Sequence, residues 1–194
     1  MPNIEAEVRI LLKNRKAIEK KVLARGAKMI YFSRVKDYWF CPCAAKNHLA
    51  ASLDKTGFAL RIRETKDMYN GRQSASLDCK TLCDGKTHAL CNEYELDLGK
   101  NVATARKLLE SIGLKEFLLI DKERVIYKYG QYKLCFDKIK GLGNGLEIEK
   151  MTSREKVNNV HAELLKFAAE LGIDKKEILE KSLTYLAMEK MTKF

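Results

Sequence analysis

The chain has 194 residues and a formal charge of +11, from 37 Lys and Arg against 26 Asp and Glu; a balance this basic points to an anionic partner unless Lys serves only solubility. With 46% hydrophobic and 32% charged residues it has the material for a core, and 2 Pro with 11 Gly leave no room for a flexible linker, which argues against a disordered chain. There is no long apolar run, signal-peptide pattern or solenoid repeat, and six cysteines are too sparse for a secreted disulfide scaffold, so the expectation is a cytoplasmic protein with no membrane span.

The first element shows itself by alternation. In Ile4–Leu12, IEAEVRILL, the residues Ile4, Ala6, Val8 and Ile10 fall on one side and Glu5, Glu7 and Arg9 on the other, the two-residue period of a strand. Asn14 is placed to cap a helix running to about Arg25, which Gly26 ends. Lys28 to Phe40 reads as strand, Cys41 to Lys55 as loop and Phe58 to Glu64 as strand. A turn at Asn70-Gly71 leads to a strand over Ala75 to Lys80, and a turn at Asp84-Gly85 to a strand over Ala89 to Leu98. A helix from Asn101 to Ile112 stops at Gly113. Glu116 to Tyr129, Tyr132 to Ile139 and Leu146 to Lys150 read as strands, with a turn at Gly130. From Ser153 onward Val157, Val160, Leu164, Phe167, Ala168 and Leu171 recur at helical spacing; Gly172 stops that helix and Asp174 caps the next. About eight short strands with intervening helices predict an α+β fold, a closed or nearly closed antiparallel β-barrel. The whole of 1–194 is expected to be one domain, with the barrel over 1–150 and the helices of 151–194 packed on it.

The charges on these strands come in pairs of one sign. Glu5 and Glu7, Arg61 and Arg63, Glu93 and Glu95, Lys122 and Arg124, and Glu147 and Glu149 each lie two apart, with apolar neighbours on the other face. Any one pair reads most simply as a solvated outer face. Together they suggest more, because an ordinary exposed face mixes signs to gain cross-strand pairs. Carboxylate pairs suit a hard divalent cation, and basic pairs suit an oxyanion, whose oxygens match the guanidinium fork. If these faces turn inward they line a polar lumen able to hold a polyphosphate with its metals, and the apolar outer faces need helices to cover them.

The segments EAEVR, LRIRE, DCK, DKERVIY, FDKIKGLGNGLEIE and KSLTYL, in that order, resemble the CYTH, or triphosphate tunnel metalloenzyme, superfamily, and within it the class IV adenylyl cyclases. The resemblance runs from Ile4 to about Leu186. It implies an eight-stranded antiparallel tunnel covered by α-helices that takes a triphosphate, ATP or tripolyphosphate, with Mg²⁺ or Mn²⁺. Carried over position by position, it implies that Glu5, Glu7, Asp137, Glu147 and Glu149 take metal. Arg9, Arg61, Arg63, Lys80, Lys122 and Arg124 are implied to grip phosphate, and Glu5, Glu7, Lys122 and Arg124 are the implied catalytic set. Two departures stand out. Arg9 occupies a position where the family usually has Lys, which keeps the charge and removes any proton-transfer role, since Arg does not deprotonate in proteins. The His-Phe that bacterial class IV cyclases carry shortly before the acidic pair has no counterpart here.

The remaining motifs have blander readings. Cys41 and Cys43 with Cys79 and Cys83 lack the spacing of zinc knuckles, and Cys91 and Cys135 read as core. His48, His88 and His161 are isolated in sequence. GLGNG at Gly141–Gly145 lacks the Lys-Ser/Thr ending of a phosphate loop and reads as a hairpin. Trp39 with Tyr38 and Phe40 reads as core aromatics, with base stacking as the functional alternative. Three functions are left in play: an ATP-cyclising enzyme, an inorganic or thiamine triphosphatase, and a non-catalytic polyphosphate or nucleic-acid binder. The scattered basic residues and the paired carboxylates argue against nucleic acid. The expected partner is a small-molecule triphosphate, with no membrane partner, and homodimerisation is left open.

Overall fold

The N-terminal alternation forms the strand it predicts, β1 at Ile4–Leu12. The computed structural model of the chain describes residues 4–82 and 91–192. Helix α1 spans Arg15–Ala24, and the Asn14 side chain accepts a hydrogen bond from the Ala17 N–H at 3.1 Å, satisfying one donor that a helix start leaves unpaired. Gly26, at φ +87°, lets the chain turn out of that helix. Then follow β2 (Lys28–Pro42), the single-turn helix α2 (Leu53–Thr56), β3 (Phe58–Asp67), β4 (Gln73–Leu82), β5 (Cys91–Asp97) and α3 (Val102–Ser111). The chain continues through β6 (Leu114–Tyr129), β7 (Tyr132–Ile139), β8 (Gly143–Thr152), α4 (Val157–Glu170), β9 (Ile178–Leu179) and α5 (Leu183–Met191). The turn expected at Asp84-Gly85 lies outside the described residues.

Three details depart from the sequence pattern. Helix α2 lies in the segment read as loop. Strands β3, β4 and β8 extend past their apolar alternation, because backbone pairing continues through polar residues such as Thr65 opposite Ser74 and through Gly145 opposite Asp137. Asp174 does cap, but what it caps is a 3₁₀ turn at Lys175–Glu177, closed reciprocally by the Glu177 side chain on the Asp174 N–H.

The sheet has nine strands in the order β5-β4-β3-β2-β6-β7-β8-β1-β9. The ladders of β1 with β8 and β9, of β2 with β3, of β3 with β4, of β4 with β5 and of β7 with β8 are antiparallel. The expected α+β fold on an antiparallel sheet is what forms, with nine strands in a linear order among the described residues where eight were expected. Among the described residues no ladder joins its two ends. Physically, the second edge of β1 is taken by the late strand β9, at Arg9 and Ile10. That pairing is invisible to local periodicity.

Two compact units divide the chain, residues 1–32 with 123–183 and residues 33–122 with 184–194; the boundary falls inside β2 and inside β6. In the first unit the apolar faces of β1, β7 and β8 supply Ala6, Val8, Ile10, Leu134, Phe136, Leu146 and Ile148. These pack with Val22 of α1 and with Val160, Leu164, Phe167 and Ala168 of α4. In the second, Phe40, Leu60, Ile62 and Ala75 pack with Leu98 and with Leu109 of α3. In both units, helices cover the apolar face, as the alternation requires. The opposite faces carry the charges. No helix among the described residues is long and apolar enough to cross a membrane.

Candidate functional site

In the first unit, register brings the charged residues onto one face. Glu7 lies opposite Glu149 and Arg9 opposite Glu147 in the β1–β8 ladder, while Lys133 lies opposite Glu149 and Cys135 opposite Glu147 in β7–β8. Residues opposite each other in an antiparallel pair share a face, so Glu5, Glu7, Arg9, Lys133, Cys135, Asp137, Glu147 and Glu149 all project to the side that α1 and α4 leave uncovered.

Two sub-groups form there. The first is carboxylate-rich: one oxygen from each of Glu5, Glu7 and Glu149 lies within 4.8 Å of the others. Lys133 Nζ stands 2.6 Å from Glu149 and 3.8 Å from Glu5, Arg9 pairs with Glu7, and the Cys135 thiol donates to Glu149 at 3.4 Å. Burial works against the Lys133 charge, but Glu149 and Glu5 outweigh it and hold its pKa above the usual lysine value. Burial pushes the Cys135 thiol well up, so it stays protonated. The second sub-group is a clamp. Arg124 grips Asp137 through Nε and Nη2, both at 2.6 Å, and reaches Glu147 at 2.7 Å. Burial opposes the guanidinium charge, yet Asp137 and Glu147 raise its pKa further. Asp137 is only 1% exposed, so the clamp compensates a carboxylate that water does not reach.

These donors fit a divalent cation. Oxygens on one Mg²⁺ at about 2.1 Å lie roughly 3–4 Å apart, so the Glu5, Glu7 and Glu149 oxygens need only a small contraction to share an ion. Among the ion pairs of the described residues on this side, five carboxylates (Glu5, Glu7, Asp137, Glu147, Glu149) share three cations (Arg9, Arg124, Lys133). Asp137 and Glu147, expected as metal ligands, are held by Arg124.

In the second unit the basic residues gather around a carboxylate. Arg61 and Arg63 of β3 lie opposite Trp39 and Asp37 of β2. Asp37 accepts from Arg63 Nε at 2.6 Å and Nη2 at 2.9 Å, and stands 3.7 Å from Arg61 Nη1 and 3.8 Å from Lys122 Nζ. Arg61 Nε also donates to Asp78 at 2.8 Å, and its guanidinium lies 5.2 Å from the centre of the Trp39 ring. Burial alone would raise the Asp37 pKa; Arg61, Arg63 and Lys122 overcome that and hold it far below the usual carboxylate range. Lys80 shares this face, two residues beyond Asp78, and pairs with Glu93 of β5.

The eleven expected site residues thus fall into two groups. Glu5, Glu7, Arg9, Arg124, Asp137, Glu147 and Glu149 belong to the first unit; Arg61, Arg63, Lys80 and Lys122 belong to the second. Lys122 and Arg124, read as one basic pair, take different partners: Lys122 faces Asp37 and Arg124 faces Asp137 and Glu147. Asp37, Asp78, Lys133 and Cys135 were not singled out from sequence as site residues. Each sits in the strand alternation, Asp37 between Val35 and Trp39, Lys133 and Cys135 before Asp137, and that phase is the signal that finds them. Trp39 is among the buried core residues, as expected, and also carries the Arg61 guanidinium over its ring. The GLGNG segment is the β7–β8 hairpin, as read. Cys41, Cys43, Cys79 and Cys135 are free thiols.

In each unit helices cover the apolar face of the sheet, and the opposite face carries a carboxylate cluster in the first unit and a guanidinium cluster in the second. The CYTH domain profile matches residues 3–183, and the chain belongs to that family, a family of metal-dependent proteins acting on triphosphates. A Methanocaldococcus jannaschii protein named "putative adenylate cyclase" is 27% identical over 182 residues, which cover 92% of this chain and 95% of that one. A solved protein of Pyrococcus horikoshii superposes with a TM-score of 0.80 at 24% identity, over 95% of this chain and 98% of the other. A Hippeastrum protein described as a "putative adenylyl cyclase" with a dominant triphosphatase activity superposes with a TM-score of 0.64 at 18% identity, over 97% and 96%.

Proposed function

We propose that this chain is a Mg²⁺- or Mn²⁺-dependent enzyme that converts ATP to cAMP and pyrophosphate, in the manner of class IV adenylyl cyclases. The observation that carries the reading is the convergence of Glu5, Glu7 and Glu149 oxygens within 4.8 Å in a chain of the CYTH family. Holding an anion needs only cations; a carboxylate trio on the same protein argues for a metal as well. Glu5, Glu7 and Glu149 would hold the ion. Arg61, Arg63 and Lys122, with Lys80, Arg9 and Arg124, supply charge to phosphate oxygens. When bound, a divalent ion stabilises the negative charge that builds up on phosphate oxygens as the bond to the leaving group breaks.

The work of the protein is then positioning and electrostatics. In cyclisation the ribose 3′-oxygen bonds to the α-phosphorus, the α–β bridging bond breaks, pyrophosphate leaves and the hydroxyl proton is released. Arg9 orients Glu7 and contributes charge, but takes no proton. The closeness of DKERVIY, FDKIKGLGNGLEIE and KSLTYL to the cyclase branch, and the name of the Methanocaldococcus relative, support this chemistry. The second reading is a triphosphatase, in which water attacks a terminal phosphorus. What favours it is the Hippeastrum neighbour, where the cyclase name and a dominant triphosphatase activity go together.

The test is incubation with ATP, inorganic tripolyphosphate and thiamine triphosphate, each with Mg²⁺ or Mn²⁺, and chromatography of the products. cAMP with pyrophosphate is expected from ATP. ADP with orthophosphate would replace cyclisation by the triphosphatase reading, and no turnover of any of the three would leave a binding protein.

A further inference from the structure

Asp37 has no place among metal ligands or phosphate donors, yet it is the most enclosed charge among the described residues of the second unit. It is 1% exposed, and cations from two strands surround it: Arg61 and Arg63 of β3 and Lys122 of β6. Three cations brought this close repel one another, more strongly where water is excluded. A single carboxylate among them offsets that repulsion. A metal ion or a catalytic base would need an open approach, and Asp37 has none.

The geometry is more specific than charge compensation. Arg63 meets Asp37 fork to fork, Nε to one oxygen at 2.6 Å and Nη2 to the other at 2.9 Å. This two-point contact fixes the plane of the guanidinium as well as its position. Arg61 is fixed along a different edge. Its Nε donates to Asp78 at 2.8 Å, Asp78 is itself held by the Ser76 hydroxyl at 2.6 Å, and the Trp39 ring lies beneath the guanidinium. An unclamped Arg loses rotamer freedom when an anion arrives; a clamped one has already lost it.

We propose that Asp37 is a positioning residue for the anion site: by gripping Arg63 and standing beside Arg61 and Lys122 it sets their orientation before a triphosphate binds. The inference rests on the triphosphate reading above and adds to it a residue that never touches the substrate. It predicts a sign opposite to plain electrostatics. Deleting the Asp37 charge makes the cluster more positive, which by charge alone tightens anion binding; if orientation dominates, binding weakens.

The experiment is calorimetric titration of tripolyphosphate and of orthophosphate into the parent and into Asp37→Asn, Asp37→Glu, Arg63→Lys and Asp37→Asn/Arg63→Lys, with the folded fraction of each read by thermal melting. Per folded molecule, Asp37→Asn is expected to weaken tripolyphosphate binding about tenfold or more, while orthophosphate binding changes less, so that selectivity for the longer anion falls. Asp37→Glu keeps the charge and moves the fork by one methylene. It guards against the loss of fold that a buried neutralisation can cause, and is expected to show the same loss of selectivity. Lys cannot make the two-point contact, so Arg63→Lys should add less than about threefold once Asp37 is already Asn, the non-additivity of residues acting as one unit. Parent-like or tighter tripolyphosphate binding by Asp37→Asn or Asp37→Glu, or effects that simply multiply in the double variant, would overturn the proposal while leaving the triphosphate reading intact. A parent that binds tripolyphosphate no better than orthophosphate overturns both.

Discussion

Replacing Glu149 by Gln removes one of the three converging carboxylates while keeping the side chain's size and its ability to accept from Lys133. In the metal-free protein the change should be mild. That face carries one carboxylate charge fewer, and Lys133, 39% exposed at its side chain, retains access to water. With metal the change should be large, because an oxygen charge is gone from a set whose members lie within 4.8 Å. Altering even an outer partner of a metal ligand commonly costs 10–100-fold in affinity, so about 100-fold is the expectation for the ligand itself. At a Mn²⁺ concentration near 100 times the parent's Kd, binding stabilises the parent by about 2.7 kcal/mol. At roughly 2–4 °C per kcal/mol for a chain of this length, that raises Tm by about 5–11 °C. The variant, sitting near its own Kd at the same concentration, gains only about 0.4 kcal/mol, or about 1–2 °C. Thermal melts with and without Mn²⁺ read this directly. A metal-induced shift in Glu149→Gln equal to the parent's would refute the assignment of the carboxylate trio, whatever the activity shows.

Arg124→Ala should destabilise by about 3–5 kcal/mol, because it strands the nearly inaccessible Asp137 carboxylate without a partner; urea denaturation reads the loss, Arg124→Met with Asp137→Asn should recover most of it, and an unchanged midpoint in Arg124→Ala would count against a buried clamp. The depressed pKa of Asp37 gives a pH signature. Its stabilising contribution is fully present above the unfolded carboxylate pKa of about 3.9 and is lost as pH falls through the lower folded value. The stability difference between the parent and Asp37→Asn should therefore hold at neutral pH and shrink below about pH 4. A difference independent of pH from 7 down to 2 would mean that the buried charge is not its source.

Local pattern carried a great deal. The two-residue period of IEAEVRILL, of ALRIRE and of GLEIE determined which side chains share a face, because a strand offers no other way to sort them. From that followed helices over the apolar faces and charges on the opposite ones, and both hold in α1 and α4 over β1, β7 and β8 and in α3 over β2, β3 and β4. The Asn14 cap, the glycine stop after α1 and the β7–β8 hairpin were equally legible, since each depends on a few neighbouring residues. Tertiary structure alone decided which charge meets which. Asp37 faces Arg63 across a β2–β3 ladder, Glu7 faces Glu149 from the far end of the chain, and Lys133 reaches both Glu5 and Glu149. It also separated Lys122 from Arg124 in their partners and placed β9 on the edge of β1. Periodicity fixes a face but not a register. Register comes from pairing between segments tens of residues apart, and a slip of one residue would reverse every side chain. Single-sign pairs in sequence therefore looked like bare sites for metal and phosphate, when register had already set carboxylates against the arginines and a lysine against the carboxylates.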